Sequence, residues 1–463
     1  MSDIINTSFL SGVFPKRLKL ARVIPIFKKG EKHLLTNYRP ISLLPVFSKI
    51  IEKCLQVRIQ KFFIRNSIFC NTQFGFLPGR STADAVSHVV ENIFHCLNSK
   101  EISITIFIDF KKAFDSIDHG ILLTKLKMLG IRGITHDLIT SYLYDREQEI
   151  VIGKCVSGKK IVNSGIPQGS VLGPLLFITF INDLPNVSTL FSTVCFADDT
   201  TLLFHDQNPE HLIAKCNSGL SIFYRWSQLN RMTVNCDKTY LSVTSNRNFE
   251  LPFGEVRLAN SPILEVNSCR FLGVILDSKL RFVDHIDHVC SKVSKCIGIL
   301  YRLRPLLSLK CLVNLYYALI YPHLDYCVTI WGNTYTTHLD RLVILQKRVL
   351  RIICNERALS HTTPLFNKCS ILKLRDLIKF RVACHVYKNF ESFNLRPSHN
   401  YSTRHSVSQN LNSAFQRLTL TQHSISYRGP KVWNEVPENI KSLPRFTQFR
   451  KKYRSFLLSS YVN

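Results

Sequence analysis

Acidic residues are scarce in this chain: 32 Asp and Glu stand against 60 Lys and Arg, a formal net charge of +28 over 463 residues. That balance excludes most acidic metabolic enzymes and points to a polyanionic partner, for which nucleic acid is the first candidate and an anionic membrane surface the second. Paired cysteines are also lacking. The fifteen cysteines are scattered singly, from Cys54, Cys70, Cys96, Cys155 and Cys195 onward, with no CxxC spacing, so zinc modules are not expected and reduced thiols in cytosol or nucleus are. No run of about 18 apolar residues is present to span a bilayer, and the first thirty residues lack a signal peptide's apolar core and cleavage site. Internal repeats and low-complexity tracts are absent as well. What is present is core material: 45% hydrophobic and 11% aromatic residues, enough for several subdomains. The basic run Lys16, Arg17, Lys19, Arg22 reads either as a nuclear signal or as the edge of a strand or helix.

Residues 20–29 mix β-branched and aromatic side chains and end in Lys28-Lys29-Gly30, which predicts a strand entering a turn. A helix is expected at about 45–65. Ser81 opens Ser-Thr-Ala-Asp, a capping box with Asp84 in place of Glu, and Val86, Val89, Val90, Ile93, Phe94 and Leu97 follow at helical spacing. Between 102 and 108 the isoleucines recur every second residue, with Ser103, Thr105, Phe107 and Asp109 on the other face, so a strand carries a carboxylate at its end. Helices are expected near 120–145 and 172–183. A strand at 193–196, the acids Asp198-Asp199 and a return through Thr201 to Phe204 predict a hairpin with two acids at its tip. A third strand group is expected at 239–245 and 269–276, then a helix with Val289, Val293, Ile297 and Leu300 on one face. The segment 395–463 is rich in Ser, Asn and Gln and holds 11 Lys or Arg against 2 Glu.

Asp109, Asp198 and Asp199 stand out. A lone Asp is ordinarily a solvated turn residue, but adjacent carboxylates in an apolar setting are costly unless a cation lies between them. Two magnesium ions roughly 3.5–4 Å apart, as in polymerases, would relieve the repulsion.

The stretches FIDFKKAFD (107–115), GIPQGSVLGPLLF (165–177) and FADD (196–199) resemble the three central motifs of reverse transcriptases from non-LTR retrotransposons of the jockey and chicken-repeat type. Upstream, residues 21–30, NYRPISLLP (37–45) and QFGFLPGR (73–80) resemble that family's fingers motifs. Downstream, 229–239 and RFLGVILD (270–277) resemble its last palm motif and primer grip, and the likeness continues through His323-Leu324-Asp325-Tyr326 to Trp433-Asn434.

The resemblance implies an α+β polymerase hand: fingers and palm in 1–280, a helical thumb and connection in 281–394, and a basic C-terminal extension in 395–463. It implies an RNA-directed DNA polymerase that holds two magnesium ions, with manganese possible, on Asp109, Asp198 and Asp199, and works on an RNA template, a DNA primer and deoxynucleoside triphosphates, with no membrane partner. Phe114 takes the place of the aromatic gate that excludes a ribose 2′-OH, or is a core residue. Gln168 and Gly169 would contact nucleotide and template; Lys238 would be the general acid for the leaving pyrophosphate; Arg39, Lys28 and Lys29 would clamp the triphosphate, the two lysines being otherwise surface residues; Leu272 and Gly273 would grip the primer. Asp115 would be a structural hydrogen-bond partner. The chain is expected to lack the endonuclease that full-length members carry and to be cut short at its N-terminus. A non-catalytic RNA-binding remnant and a viral RNA-dependent RNA polymerase are the rival readings; Ala197 in place of the latter's usual Gly, together with Phe114, disfavours the second.

Overall fold

The computed structural model describes residues 2–247, 249, 251–252, 254–393, 410–413 and 415–461. It is a mixed α+β fold in two compact units, one formed by 1–85, 104–241 and 250–265, the other by 86–103, 242–249 and 266–463. Among the described residues no helix is long and apolar enough to cross a membrane.

The first unit opens with helix α1 (Ser2–Ser11) and strand β1 (Ala21–Phe27). β1 pairs antiparallel with β2 (Tyr38–Leu43) and, over Ala21 to Val23 only, parallel with β4 (Arg146–Ile152). Pro25 thus lies beyond the doubly paired part of the strand, where its missing N–H breaks no ladder. β5 (Cys155–Val156) and β6 (Lys160–Val162) extend β4. Within the basic run, Lys19 is buried with its ammonium on the Tyr144 carbonyl at 3.1 Å and Arg22 pairs with Glu149 at 2.8 Å, while Lys16 and Arg17 are exposed. The expected helix at 45–65 is α2 (Val46–Arg65).

A five-stranded sheet built from β3 (Ile102–Ile108), β7 (Ser192–Phe196), β8 (Asp199–Asp206), β9 (Tyr240–Thr244) and β12 (Leu264–Glu265) runs in the order β12–β9–β3–β8–β7, while β10 (Arg257–Leu258) pairs separately with β11 (Ser261–Pro262). Its centre is β3, flanked by β8 and β9; β7 and β12 form the edges. Every residue of β3 is buried, so Ser103, Thr105 and Phe107 do not face solvent as alternation alone implies; both faces of this central strand are covered. Helix α7 (Pro209–Leu229) packs on β8, where a Cβ at Gly219 would sit 2.6 Å from the Phe204 ring. Asn208 caps α7 by accepting from the Glu210 and His211 amides. The region 120–145 forms two helices, α4 (His119–Met128) and α5 (Gly133–Leu143), broken at Gly130, whose φ of 95° no helix tolerates. α6 (Gly173–Phe180) is apolar on all sides and buried throughout but for Pro174.

The capping box forms at the start of α3 (Thr82–Asn98): the Asp84 carboxylate accepts from the Ser81 amide at 2.8 Å, and Ser81 Oγ from the Asp84 amide at 3.3 Å. In the second unit the apolar group at 269–276 is not one strand but a hairpin, β13 (Ser268–Phe271) and β14 (Val274–Asp277), turning at Leu272 and Gly273 with φ of 44° and 90°. Helix α8 (Val283–Leu303) follows, with Val289, Val293, Ile297 and Leu300 buried against the helix Thr336–Cys354. Residues Ile425–Asn434 and Phe446–Ser459 are helices that pack on the helix Leu374–Lys388.

Candidate active site

β3 and β8 are neighbours, which brings Asp109, the residue after β3, to the turn between β7 and β8. That turn is tighter than the sequence suggests. Phe196 pairs with Asp199, so the two-residue tip is Ala197-Asp198, and Asp199 is already the first residue of β8. Ala197 adopts φ 55°, a conformation unusual for a residue with a Cβ, and its side chain is buried.

Asp198 and Asp199 both feel the charge of Asp109. The Asp198 and Asp199 side chains reach solvent, yet the surrounding protein removes enough water to push both carboxyls up, and the Asp109 charge adds to this at each of them. Asp199, which also faces Asp198, is pushed up to about 6. Arg39 and Lys28 act in the opposite direction on Asp198, so both cations lie within electrostatic reach of the acids. Lys28 follows β1 and Arg39 lies in β2; the Lys28 amide donates to the Asn37 carbonyl at 2.8 Å, closing this hairpin. Carboxylate oxygens at neighbouring strand ends are hard donors of the kind a divalent cation takes.

Asp109 is held by a residue that the sequence reading did not single out. Asn235 Nδ2 donates to Asp109 Oδ2 at 2.8 Å, and the Asn235 amide donates to the Asp109 carbonyl, also at 2.8 Å. Lys238, one turn further on, brings its ammonium to 3.8 Å from the same Oδ2.

Phe114 is half-buried. Its ring lies flat on the fully buried Phe177, with centroids 4.3 Å apart, and edge-on to Phe76. Gln168 donates from Nε2 to Asp115 Oδ1 at 2.9 Å, so Asp115 is engaged by a neighbouring side chain; burial nonetheless pushes its carboxyl up. The close approach at Gly169 is made by the protein itself. With φ 117°, a Cβ there would stand 2.6 Å from the Ser42 carbonyl oxygen, and the Ser42 amide donates to the Gln168 carbonyl at 2.7 Å. Buried Glu52 holds the following loop, accepting from the Val171 and Leu172 amides at 2.8 and 3.1 Å and from Ser48 Oγ. Its loop partners lie about 120 residues away, and nothing local in the sequence announces them.

Leu272 and Gly273 form the β13–β14 turn in the second unit, where the Tyr326 hydroxyl donates to the Leu272 carbonyl and a Cβ on Gly273 would stand 3.2 Å from the Tyr326 ring. Lys29 is exposed.

Residues 26–276, more than half of the chain, match the family described as reverse transcriptase (RNA-dependent DNA polymerase), and the chain belongs to that family. It is similar to the probable RNA-directed DNA polymerase from transposon X-element of Drosophila melanogaster, 30% identical over 73% of this chain and 38% of the relative. The RNA-directed DNA polymerase from mobile element jockey of the same organism is 29% identical over 85% of this chain and 44% of its own length. The chain thus spans about two fifths of the curated relatives it matches. Among solved structures, apo telomerase from Candida tropicalis aligns over 86% of this chain and 72% of its own, at 11% identity and a TM-score of 0.44.

Proposed function

We propose that this chain is the polymerase portion of a non-LTR retroelement protein and extends a DNA primer on an RNA template with deoxynucleoside triphosphates. The observation that carries this is the placement of Asp109, at the end of β3, on the strand next to β8, whose hairpin with β7 carries Asp198 and Asp199, with Lys28 and Arg39 in electrostatic reach of Asp198. In this reading β12–β9–β3–β8–β7 is the palm and the β1–β2 pair belongs to the fingers. Residues 1–280 hold fingers and palm, 281–394 the thumb and connection, and 395–463 the basic extension.

Asp109, Asp198 and Asp199 would hold two magnesium ions, or manganese, which supply charge neutralisation at the attacking and leaving oxygens of in-line nucleotidyl transfer. The chain's own residues do the remainder. Asn235 fixes the Asp109 carboxylate by its side chain and by its backbone. Arg39, Lys28 and Lys29 take the charge of the triphosphate; Arg39 can do so as a bidentate fork. Lys238, an ammonium beside Asp109, is the proton donor to the departing pyrophosphate. Phe114, propped on Phe177, cannot retreat into the core and so occupies the volume that a 2′-OH needs. The Gln168–Asp115 bond and the Gly169 contact with β2 hold the loop beneath the nucleotide, while Leu272 and Gly273 meet the primer strand. Such a protein works in the nucleus or cytoplasm, where its template is found.

Primer extension on poly(A) with an oligo(dT) primer, deoxynucleotides and magnesium tests the reading. Asp198→Asn should abolish nucleotide addition and leave RNA affinity nearly unchanged, since one charge is small against a surplus of +28. Retention of more than about a tenth of the parent's activity would place the metal site elsewhere.

A further inference from the structure

The hairpin that carries Asp198 and Asp199 is braced from outside the sheet. Residues 72–74 run beside β7: Gln73 bridges Cys195 in parallel, the Phe74 amide donates to the Cys195 carbonyl at 2.7 Å, and the Cys195 amide donates to the Thr72 carbonyl at 2.9 Å. From this register the Gln73 side chain reaches the hairpin tip. Its Oε1 accepts from the Gly75 amide at 2.7 Å and from the Ala197 amide at 3.2 Å, and the residue is only 2% exposed. Ala197 is the tip residue at φ 55°, so the N–H that Gln73 binds belongs to the one peptide of the turn whose conformation is unfavourable for its side chain. Gly75 permits the approach, because a Cβ there would stand 2.3 Å from the Ala197 nitrogen. Arg80 locks the far side of the loop, donating from Nη1 to the carbonyls of Cys70, Asn71 and Gln73.

We propose that Gln73 is a positioning residue for the metal-binding hairpin: its side-chain oxygen pins the Ala197 peptide and thereby sets where the Asp198 and Asp199 carboxylates stand relative to Asp109. This rests on the reading of those three acids as metal ligands. Outer partners that orient metal ligands typically govern affinity by about 10–100-fold.

The test is manganese binding to the full chain without nucleic acid, followed by electron paramagnetic resonance, beside a thermal melt of each variant. Gln73→Met keeps the shape and removes the acceptor; it should weaken manganese binding by roughly tenfold or more. Gln73→Glu retains acceptor oxygens and should bind manganese better than Gln73→Met. Should Gln73→Met fail to fold, Gln73→Asn, whose amide is one methylene short of the Ala197 nitrogen, replaces it with the same expectation. Loss of affinity in the acceptor-deficient variant, with the melt still cooperative, supports the inference. A lowered melting temperature with manganese affinity within about twofold of the parent overturns it and leaves Gln73 a core residue. Asp198→Asn separates the two readings: if it binds manganese as the parent does, the metal site itself is misassigned and the inference falls with it.

Discussion

At the residue scale, two side chains make opposite demands on the protein. Asp199 is destabilising where it stands. Its carboxyl is pushed up to about 6, first by burial and then by the charges of Asp198 and Asp109, against about 4 in an unfolded chain. Between those values the folded chain binds more protons than the unfolded one, so stability falls as pH rises and the cost is complete above about pH 6. In the absence of divalent cations, Asp199→Asn should melt higher than the parent near pH 7.5 and no higher near pH 4. Solvent access to the side chain holds the gain to about 1 kcal/mol or less. Calorimetry at the two pH values checks this; a lower melting temperature for the variant near pH 7.5 would mean the three acids are not in mutual repulsion. Phe114 makes a demand of shape. Stacked on buried Phe177, it keeps a half-open position that a merely buried ring would not have. Phe114→Ala should reduce discrimination against ribonucleotides by roughly tenfold or more, about 1.4 kcal/mol, read as the ratio of kcat/KM for dTTP and UTP. A ratio equal to the parent's would return Phe114 to the core.

At the element scale, the loop 165–172 shows how a motif reads as contact with ligand and turns out to be held first by the protein. Gly169→Ala would place a methyl group 2.6 Å from the Ser42 carbonyl at a φ of 117°, so strain and overlap coincide. The variant should lose about 2 kcal/mol or more in urea unfolding, with β2 displaced; a loss below about 0.5 kcal/mol would mean the loop yields freely. The elements themselves were largely legible. The period of two at 102–108, the Ser81–Asp84 capping box and the strand–Asp-Asp–strand pattern each depend on neighbours in sequence: the strand, the cap and the hairpin formed, though β3 is buried on both faces and Asp199 lies in β8 rather than at the tip. The hairpin at 268–277 was hidden because its turn, Leu272-Gly273, sits inside an apolar run with only the glycine to mark it. Gln73, Asn235 and Glu52 were hidden for a different reason. Their partners are backbone groups or a carboxylate roughly 120 residues away, and no local pattern distinguishes an amide or acid that will find such a partner from one that will face water.

At the scale of the whole molecule, the surplus of positive charge and the aromatic content of the last seventy residues pull toward different readings of that segment. Tyr401, with the rest of 394–409, lies outside the described residues. Beyond them, Trp433, Phe449 and Tyr453 are buried: Phe449 stacks on Tyr387 at 4.5 Å and on Trp433 at 5.7 Å, and Tyr453 stacks on Phe380. These rings are core of the second unit, while Phe415 is exposed and Arg450, Lys451 and Lys452 project outward from the same helix that buries Phe449 and Tyr453. One amphipathic helix therefore turns its aromatic residues inward and these three cations outward. A chain ending at 394 would remove the inner face with the outer, so it should unfold the second unit rather than report on RNA binding alone. The separating variant is Arg450→Gln combined with Lys451→Gln and Lys452→Gln, which leaves the rings in place. Its melting temperature should match the parent's within about 2 °C. Its affinity for single-stranded RNA should fall, and the slope of log affinity against log salt should shrink by roughly 0.7 for each phosphate that is no longer neutralised. An unchanged slope in the triple variant would confine this helix to structure and assign phosphate neutralisation to cations elsewhere in the chain.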